Sequence, residues 1–208
     1  MIKRCIFDMG GVIVRDFHIW PELSVYLGFT EKDLHKDVYL HEALHRHSLG
    51  EISENEFWSS YRKSTGITAL PPGIPIGANE ADSLLGKFFH PRIDEPTAEI
   101  VKQLKASGMR VVIGTNVIDS HYTIHNNLHQ YDLFDKVYAS HLMGIAKPDP
   151  AFFSYILNAE GIRAEEAFFT DDFIENVNTA AEAGLNAFLY TDASALKEQL
   201  HSFGLPGN

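Results

Sequence analysis

The chain has 208 residues, of which 45% are apolar and 22% charged, a composition typical of a globular protein with a sizeable core. Its formal net charge of −11 argues against binding nucleic acid or an anionic membrane, because both require basic patches. Cys5 is the one cysteine, which excludes an intramolecular disulfide and suits a reducing compartment.

The first apolar run, residues 5–7 with Ile2 before it, is too short for a signal peptide or a membrane span, so we expect a cytoplasmic protein. Similar runs of strand length recur along the chain. They lie at residues 110–114, 136–140, 167–169 and 186–190, the one at 136–140 being the weakest. Helical patterns separate most of them, which predicts βα units and a Rossmann-like α/β fold with a parallel sheet.

Residues 16–90 show helical periodicity without convincing strands. Helices are predicted at residues 21–27, 31–40, 42–49, 53–64 and near 80–89, with a proline-rich loop at 71–75. Ser53 and Glu56 form a capping box at the start of the fourth. We therefore predict an α/β core at residues 1–15 and 91–208, with an all-helical cap at residues 16–90. Within the core, a helix over residues 94–105 would be capped by Asp94.

The first strand ends at Asp8, which is followed closely by Gly10 and Gly11. Open α/β sheets bind ligands at the carboxyl ends of their strands, and glycines allow a backbone to approach a ligand closely. Taken alone, Asp8 could equally be a capping residue in a glycine-rich turn.

Polar residues also follow the second strand and precede a later helix. Thr115 and Asn116 come after residues 110–114, where a threonine can bind a phosphate oxygen through its hydroxyl and backbone N–H. Lys147 lies just before the helix start at Asp149 and Pro150, which would fix one ammonium near the rim of the sheet. Each has a simpler interpretation, as a turn former or a solvated lysine.

The strand at residues 167–169 leads into Thr170, Asp171 and Asp172. Two adjacent carboxylates repel each other, and a bound cation is the usual compensation. Hard oxygen ligands of this kind favour Mg²⁺. One of the two could instead cap the next helix.

Together these motifs occur in an order that resembles the haloacid-dehalogenase superfamily along essentially the whole chain, including a helical cap after the first motif. The match is most similar to its small sugar-phosphate phosphatase-like subgroup, whose first motif also reads Asp-x-Gly and whose cap resembles residues 50–57. The resemblance implies Asp8 as nucleophile and Thr115 and Lys147 as phosphate-binding residues. It also implies Mg²⁺ ligation by Asp8, the Gly10 carbonyl, Asp171 and Asp172, with Gly10, Gly11 and Asn116 beside the substrate.

One position departs from most phosphatases of that superfamily, which have a second Asp two residues after the nucleophile as general acid. Here that residue is Gly10. General acid assistance contributes roughly 10²–10⁴-fold, so either the leaving group needs little protonation or another residue replaces the acid. Asp16 and His18 are the nearest candidates in sequence.

The predicted cap also contains His41, His45 and His47. The first two share a helical face and could bind a transition metal or a sugar phosphate, although a polar face without a ligand is the simpler interpretation.

We therefore expect a Mg²⁺-dependent phosphatase that acts on a small phosphorylated metabolite such as a sugar phosphate, as a monomer or homodimer. A dehalogenase and a catalytically weak phospho-ligand-binding scaffold remain the alternatives.

Overall fold

A parallel sheet organises the chain, of which the computed structural model describes residues 1–65 and 83–206. The strands are β1 (Arg4–Phe7), β2 (Val14–Arg15), β3 (Arg92–Ile93), β4 (Arg110–Thr115), β5 (Lys136–Ala139), β6 (Ala167–Asp171) and β7 (Asn186–Leu189). Five of them form the sheet in the order β5-β4-β1-β6-β7, all parallel, while β2 and β3 form a separate antiparallel pair. The predicted α/β fold with a parallel sheet is confirmed.

Helices connect and cover these strands. They are α1 (Trp20–Leu27), α2 (Glu31–Lys36), α3 (Val38–Ser48), α4 (Glu54–Thr65), α5 (Leu84–Lys87), α6 (Glu95–Ala106), α7 (Asp119–Asn127), α8 (Ser140–Met143), α9 (Pro150–Glu160), α10 (Ile174–Glu182) and α11 (Ala193–His201). Short 3₁₀ turns lie at Gln130–Leu133 and Ala164–Glu166. In the described ranges no helix is both long enough and apolar enough to cross a membrane.

The sheet is buried on both faces, which explains why its strands appear in the sequence as continuous apolar runs rather than alternating ones. On β1, Cys5 and Phe7 pack into one apolar cluster and Ile6 packs into the cluster on the opposite face. Phe168 and Phe169 of β6 divide between the two faces in the same way. A shift of a strand by one residue would therefore move each of its apolar side chains into the cluster on the opposite face.

A further apolar cluster belongs to the predicted cap. Leu23, Leu40, Phe57, Trp58 and Leu85 are among its buried members. The β2–β3 pair lies where the chain leaves and rejoins the core, close to the boundaries predicted at residues 15 and 91. The boundaries themselves stay a prediction.

Two predicted helices differ from the structure. The pattern over residues 31–40 and 42–49 predicted a break near residue 41, but the break lies at Asp37. The Asp37 side chain accepts hydrogen bonds of 3.1 Å from the backbone N–H groups of Tyr39 and Leu40, which starts α3 there. Of the helix predicted near residues 80–89, α5 is the described part. The predicted loop at 71–75 lies outside the described residues.

The prediction for Asp94 was half right. It occupies the N-cap position of α6, yet its side chain makes no capping hydrogen bond. Instead it accepts a 2.6 Å hydrogen bond from Arg15 Nη2. Its carboxylate therefore ties α6 to β2 across the start of the cap. At α4 the predicted capping box of Ser53 and Glu56 is present.

Glu160, the last residue of α9, fastens that helix to three strands. Its carboxylate accepts hydrogen bonds from Arg4 Nε at 2.8 Å, Arg110 Nε at 2.7 Å and the Tyr138 hydroxyl at 2.7 Å. Although burial opposes its ionisation, the hydrogen bonds from Arg110, Tyr138 and Arg4 lower the pKa of Glu160 to about 2.

We expect Glu160→Gln to lower the free energy of unfolding by about 3 kcal/mol at pH 7, since it leaves two guanidinium groups without their carboxylate. The folded pKa of about 2 lies below the ordinary value of 4.5, so the ionised group stabilises the fold above pH 4.5 and this contribution disappears as the pH falls towards 2. Urea unfolding of parent and variant across this range should therefore show a shrinking difference. Exposed Glu165, changed to Gln, is the control and should alter stability by less than about 0.5 kcal/mol. A difference that is constant with pH would contradict this account.

Candidate active site

Three of the sequence motifs meet at the carboxyl edge of the sheet. Phe7 of β1 lies opposite Ile113 of β4 on one side and Thr170 of β6 on the other. Parallel strands end at the same edge, so the residues that follow, including Asp8, Thr115 and Asp171, come together there.

Lys147 joins the first and last of these residues. Its Nζ donates hydrogen bonds of 2.6 Å to Asp8 Oδ1 and 2.6 Å to Asp171 Oδ2. The Lys147 side chain is 2% exposed and that of Asp171 is fully buried. The ammonium is thus held in place by two carboxylates from neighbouring strands.

Two residues orient this pair. Asn116 Nδ2 donates to the Lys147 carbonyl at 2.7 Å, and Asn116 Oδ1 accepts from the Lys147 N–H at 2.8 Å. Asn176 Nδ2 donates to Asp171 Oδ1 and Oδ2, both at 3.0 Å. Asn116 lines the cavity, so its substrate contact stays a prediction, but here its amide positions the lysine backbone. Asn176 was missed, because one asparagine in the first turn of a helix gives no signal in the sequence.

Asp172 lies against the glycine turn that follows β1. Gly11 has a φ of 72°, and a Cβ there would collide with Asp172 Oδ2, so both conformation and space require glycine. Gly11 is not among the residues that line the cavity, so the structure gives it this role and leaves its predicted substrate contact a prediction.

The carboxylates fit a divalent cation. Asp8, Asp171 and Asp172 each offer an oxygen, and these oxygens lie within 4.8 Å of one another. Asp172 Oδ1 is buried without a hydrogen-bond partner among the described residues. Burial is the main cause that raises the pKa of Asp8 to about 7, and burial followed by the charge of Asp171 raises the pKa of Asp172. A cation would relieve both costs, and a set of hard oxygen donors suits Mg²⁺.

A cavity of about 630 Å³ opens from this edge towards the predicted cap. Gly10 lines it, and a Cβ at Gly10 would lie 3.2 Å from Cε2 of the Phe17 ring. The ring therefore occupies the space beside the missing acid. His18 also lines the cavity, and its ring centroid lies 4.2 Å from that of Phe17 with the two ring planes tilted by 37°. Asp16 does not line it, and Asp16 accepts a 2.6 Å hydrogen bond from Arg92 Nε.

The three histidines of the predicted cap cluster are separated. His41 and His45 line the cavity, as their shared helical face predicts. His47 is buried away from it, and its Nδ1 hydrogen-bonds to the Ile52 carbonyl at 2.8 Å. Among the residues that the structure describes, Asp8, Asp171 and Asp172 lie close enough together to share a metal ion, and no group of histidines does.

The sequence of this chain is similar to those of several known proteins. A profile of the haloacid dehalogenase-like hydrolases matches residues 2–184. The chain is 29% identical to the sesquiterpene phosphatase astK of Aspergillus oryzae, over 93% of this chain and 92% of that protein. It is 25% identical to a D-ribitol-5-phosphate phosphatase of Bacteroides thetaiotaomicron, over 96% and 97%.

A solved structure shares the fold. The enzyme bt-2542 of Bacteroides thetaiotaomicron, crystallised with magnesium and inorganic phosphate, superposes with a TM-score of 0.70 at 23% identity, covering 94% of this chain and 99% of that one.

The carboxylate cluster predicts that Mg²⁺ stabilises the protein, which can be tested without a substrate. Mg²⁺ at a hundred times its dissociation constant should stabilise the protein by about 2.7 kcal/mol, or raise Tm by about 5–10 °C at this size. Asp172→Asn should lose most of this rise. The variant should also melt above the parent in the absence of Mg²⁺, since it removes a like charge.

Thermal unfolding with and without Mg²⁺ measures both effects. Asp132→Asn, at an exposed carboxylate, is the control and should keep the parental rise. A parent whose Tm does not respond to Mg²⁺ would refute the site.

Proposed function

Because the chain belongs to the haloacid dehalogenase-like hydrolases, we propose that it is a Mg²⁺-dependent phosphatase that hydrolyses a small phosphomonoester through an aspartyl-phosphate. The observation that carries the proposal is the arrangement of Lys147 between Asp8 and Asp171, with Asp172 beside them. It combines a nucleophile, a fixed positive charge and a set of cation ligands at one edge of the sheet. The names of two relatives, both phosphatases, support the same reaction.

The first step is the attack of Asp8 on phosphorus. An Asp8 carboxylate oxygen forms a bond to phosphorus, and the bond from phosphorus to the substrate's alcohol oxygen breaks. The Lys147 ammonium and the Thr115 hydroxyl and N–H stabilise the phosphoryl oxygens, where charge concentrates. Asp8, Asp171, Asp172 and the Gly10 carbonyl would hold Mg²⁺, which supplies further positive charge for those oxygens.

The second step releases phosphate. Water attacks the phosphorus of the aspartyl-phosphate, the bond from Asp8 to phosphorus breaks, and inorganic phosphate leaves with the Asp8 carboxylate restored. Asn116 and Asn176 keep Lys147 and Asp171 in place through both steps, by the hydrogen bonds described above.

The departing alcohol oxygen must gain a proton, and Gly10 has none to give. Of the two candidates nearest in sequence, Asp16 is paired with Arg92 outside the cavity. His18 lines the cavity next to Phe17, whose ring packs against Gly10. Histidine is the side chain that most often transfers protons near neutral pH, so we assign His18 as the general acid.

The competing functions make different demands. A dehalogenase would use Asp8 against carbon and needs no cation, so it leaves the cluster of three carboxylates unexplained. A scaffold that only binds phosphate would not need a nucleophile. Phosphate release from p-nitrophenyl phosphate with and without Mg²⁺ separates the three.

We also infer that the enzyme is cytoplasmic and works as a monomer or homodimer.

We expect Asp8→Asn to fold with a Tm close to that of the parent and to lose more than about 10³-fold in kcat, since it removes the attacking oxygen's charge. Parent enzyme quenched in acid during turnover of a labelled phosphate ester should carry label that hydroxylamine releases. Label of the same kind on the Asp8→Asn variant would show that another residue is the nucleophile.

His18→Asn should slow alkyl phosphates about 10²-fold relative to p-nitrophenyl phosphate, because nitrophenolate leaves without a proton whereas an alkoxide does not. The measurement is the ratio of kcat/KM for the two substrates. His45→Asn is the matched control, since His45 lines the same cavity from α3. That ratio should stay within about twofold in His45→Asn. An unchanged ratio in His18→Asn would remove His18 from the mechanism.

A further inference from the structure

The cavity is much larger than a phosphate group requires, and the residues at its far end bear on which class of leaving group it takes. Its volume of about 630 Å³ lies within the range of sites that enclose a whole small molecule. The Asp8–Lys147 end holds the charges. The remainder extends to α1, α3 and the start of α7, where the leaving group of a phosphomonoester would lie.

The wall around that remainder is largely apolar. Side chains from the linker before α1, from α1 and α3, and from either side of the core–cap junction form it. They are Phe17, Ile19, Trp20, Leu44, Phe89 and Ile118. At the rim, Phe173 lines the cavity while remaining 61% exposed, so the opening is apolar as well. Burying hydrocarbon against such a surface lowers the free energy of binding.

Two histidines in this wall add aromatic surface rather than charge. His121 stacks on Phe89 at 3.7 Å, and its Nε2 hydrogen-bonds to the Leu85 carbonyl at 3.2 Å. His125 Nδ1 hydrogen-bonds to Gln130 Oε1 at 2.5 Å. Burial lowers the pKa of His121 to about 3 and that of His125 to about 4, so both are neutral at neutral pH.

A sugar would be poorly matched to this wall. Among the described residues of the predicted cap, 16–65 and 83–90, no carboxylate, ammonium or guanidinium lines the cavity. The lining charges, those of Asp8, Lys147, Asp172 and Glu175, all belong to the core. His18, His41, His45 and Ser48 also line the cavity and offer hydrogen bonds to a few hydroxyls. The other hydroxyls of a sugar would lose water against Trp20, Leu44 and Ile118 without gaining charged or bidentate partners.

We propose that the preferred substrate is the monophosphate of a hydrophobic alcohol, of the isoprenoid or long-chain alkyl class, rather than a sugar phosphate. The proposal rests on the phosphatase function proposed above and narrows its substrate class. The hydrocarbon lies along Trp20, Leu44 and Ile118, with the phosphate at Asp8 and Lys147.

A homologous series of substrates tests it. With Mg²⁺ present, kcat/KM is measured for n-alkyl monophosphates from butyl to decyl, below their micellar concentrations, and for glucose 1-phosphate and glucose 6-phosphate. We expect a rise of about threefold to fourfold per methylene over several carbons, the increment of a buried methylene. Decyl phosphate should exceed both sugar phosphates by more than about 100-fold. A flat series, or sugar phosphates that are cleaved as well as decyl phosphate, would overturn the proposal.

Two further measurements keep this failure distinct from failure of the phosphatase function. p-Nitrophenyl phosphate reports that function by itself, and no release from it would refute the enzyme assignment. Calorimetric binding of decylphosphonate and methylphosphonate to Asp8→Asn with Mg²⁺ reports the apolar site without turnover. Decylphosphonate should bind at least about 30-fold more tightly. Equal affinities would overturn the apolar site even in an active enzyme.

Helix α3 offers a matched pair of variants. Leu44 lines the cavity, whereas Val38 on the same helix is 72% exposed and does not. Leu44→Gln should lower the ratio of decyl phosphate to p-nitrophenyl phosphate kcat/KM by about tenfold or more. Val38→Gln should leave the ratio unchanged. Equal losses on both substrates in Leu44→Gln would mean that Leu44 acts on the fold alone, which contradicts the proposal.

Discussion

The buried ammonium group of Lys147 is the interaction on which the rest of the site depends. Burial alone would lower its pKa, but the charges of Asp8 and Asp171 outweigh that effect and raise it, so Lys147 stays a cation. In turn the ammonium holds together two carboxylates that end neighbouring strands and would otherwise repel each other. The amide of Asn116 fixes the Lys147 backbone from the end of β4. The strand order therefore determines where these charges lie, because β4 and β6 are the two neighbours of β1 in the sheet.

The two ends of the cavity come from different parts of the chain and differ in polarity. The core supplies a charged end whose residues are set by strand ends, where backbone geometry leaves little freedom. The predicted cap supplies most of an aromatic and aliphatic end, in which Phe17 fills the space beside Gly10. A glycine at position 10 suits the apolar ring over it, because a carboxylate there would lie against the phenyl ring of Phe17. In the proposed mechanism, proton transfer is assigned to His18 and substrate choice to cap residues such as Leu44, both of which line the cavity beyond the sheet.

The sequence was informative where local rules decide the structure. Apolar runs predicted all five strands of the sheet, and the polar residues after them converge because parallel strands end together. It was uninformative where a distant partner decides. Asp94 was expected to cap α6 but bonds to Arg15, and Asp16 was an acid candidate until Arg92, 76 residues away, proved to hold it. The helix break at Asp37 was predicted near residue 41, because apolar periodicity continues across Asp37. Asn176 carries no signal at all, since its role comes only from the Asp171 carboxylate it touches.

The central claim is that cation and phosphate occupy one site, and the affinity of inorganic phosphate tests it most directly. When the three aspartates are ionised, which for Asp8 requires a pH above its pKa of about 7, one ammonium leaves a net charge of −2 at this edge, so phosphate should bind poorly by itself. A divalent cation cancels that charge. Calorimetric titration of the parent protein with inorganic phosphate should therefore give a Kd at least about tenfold lower in saturating Mg²⁺ than in its absence, and linkage requires phosphate to tighten Mg²⁺ binding equally. The same phosphate affinity with and without Mg²⁺ would contradict the account.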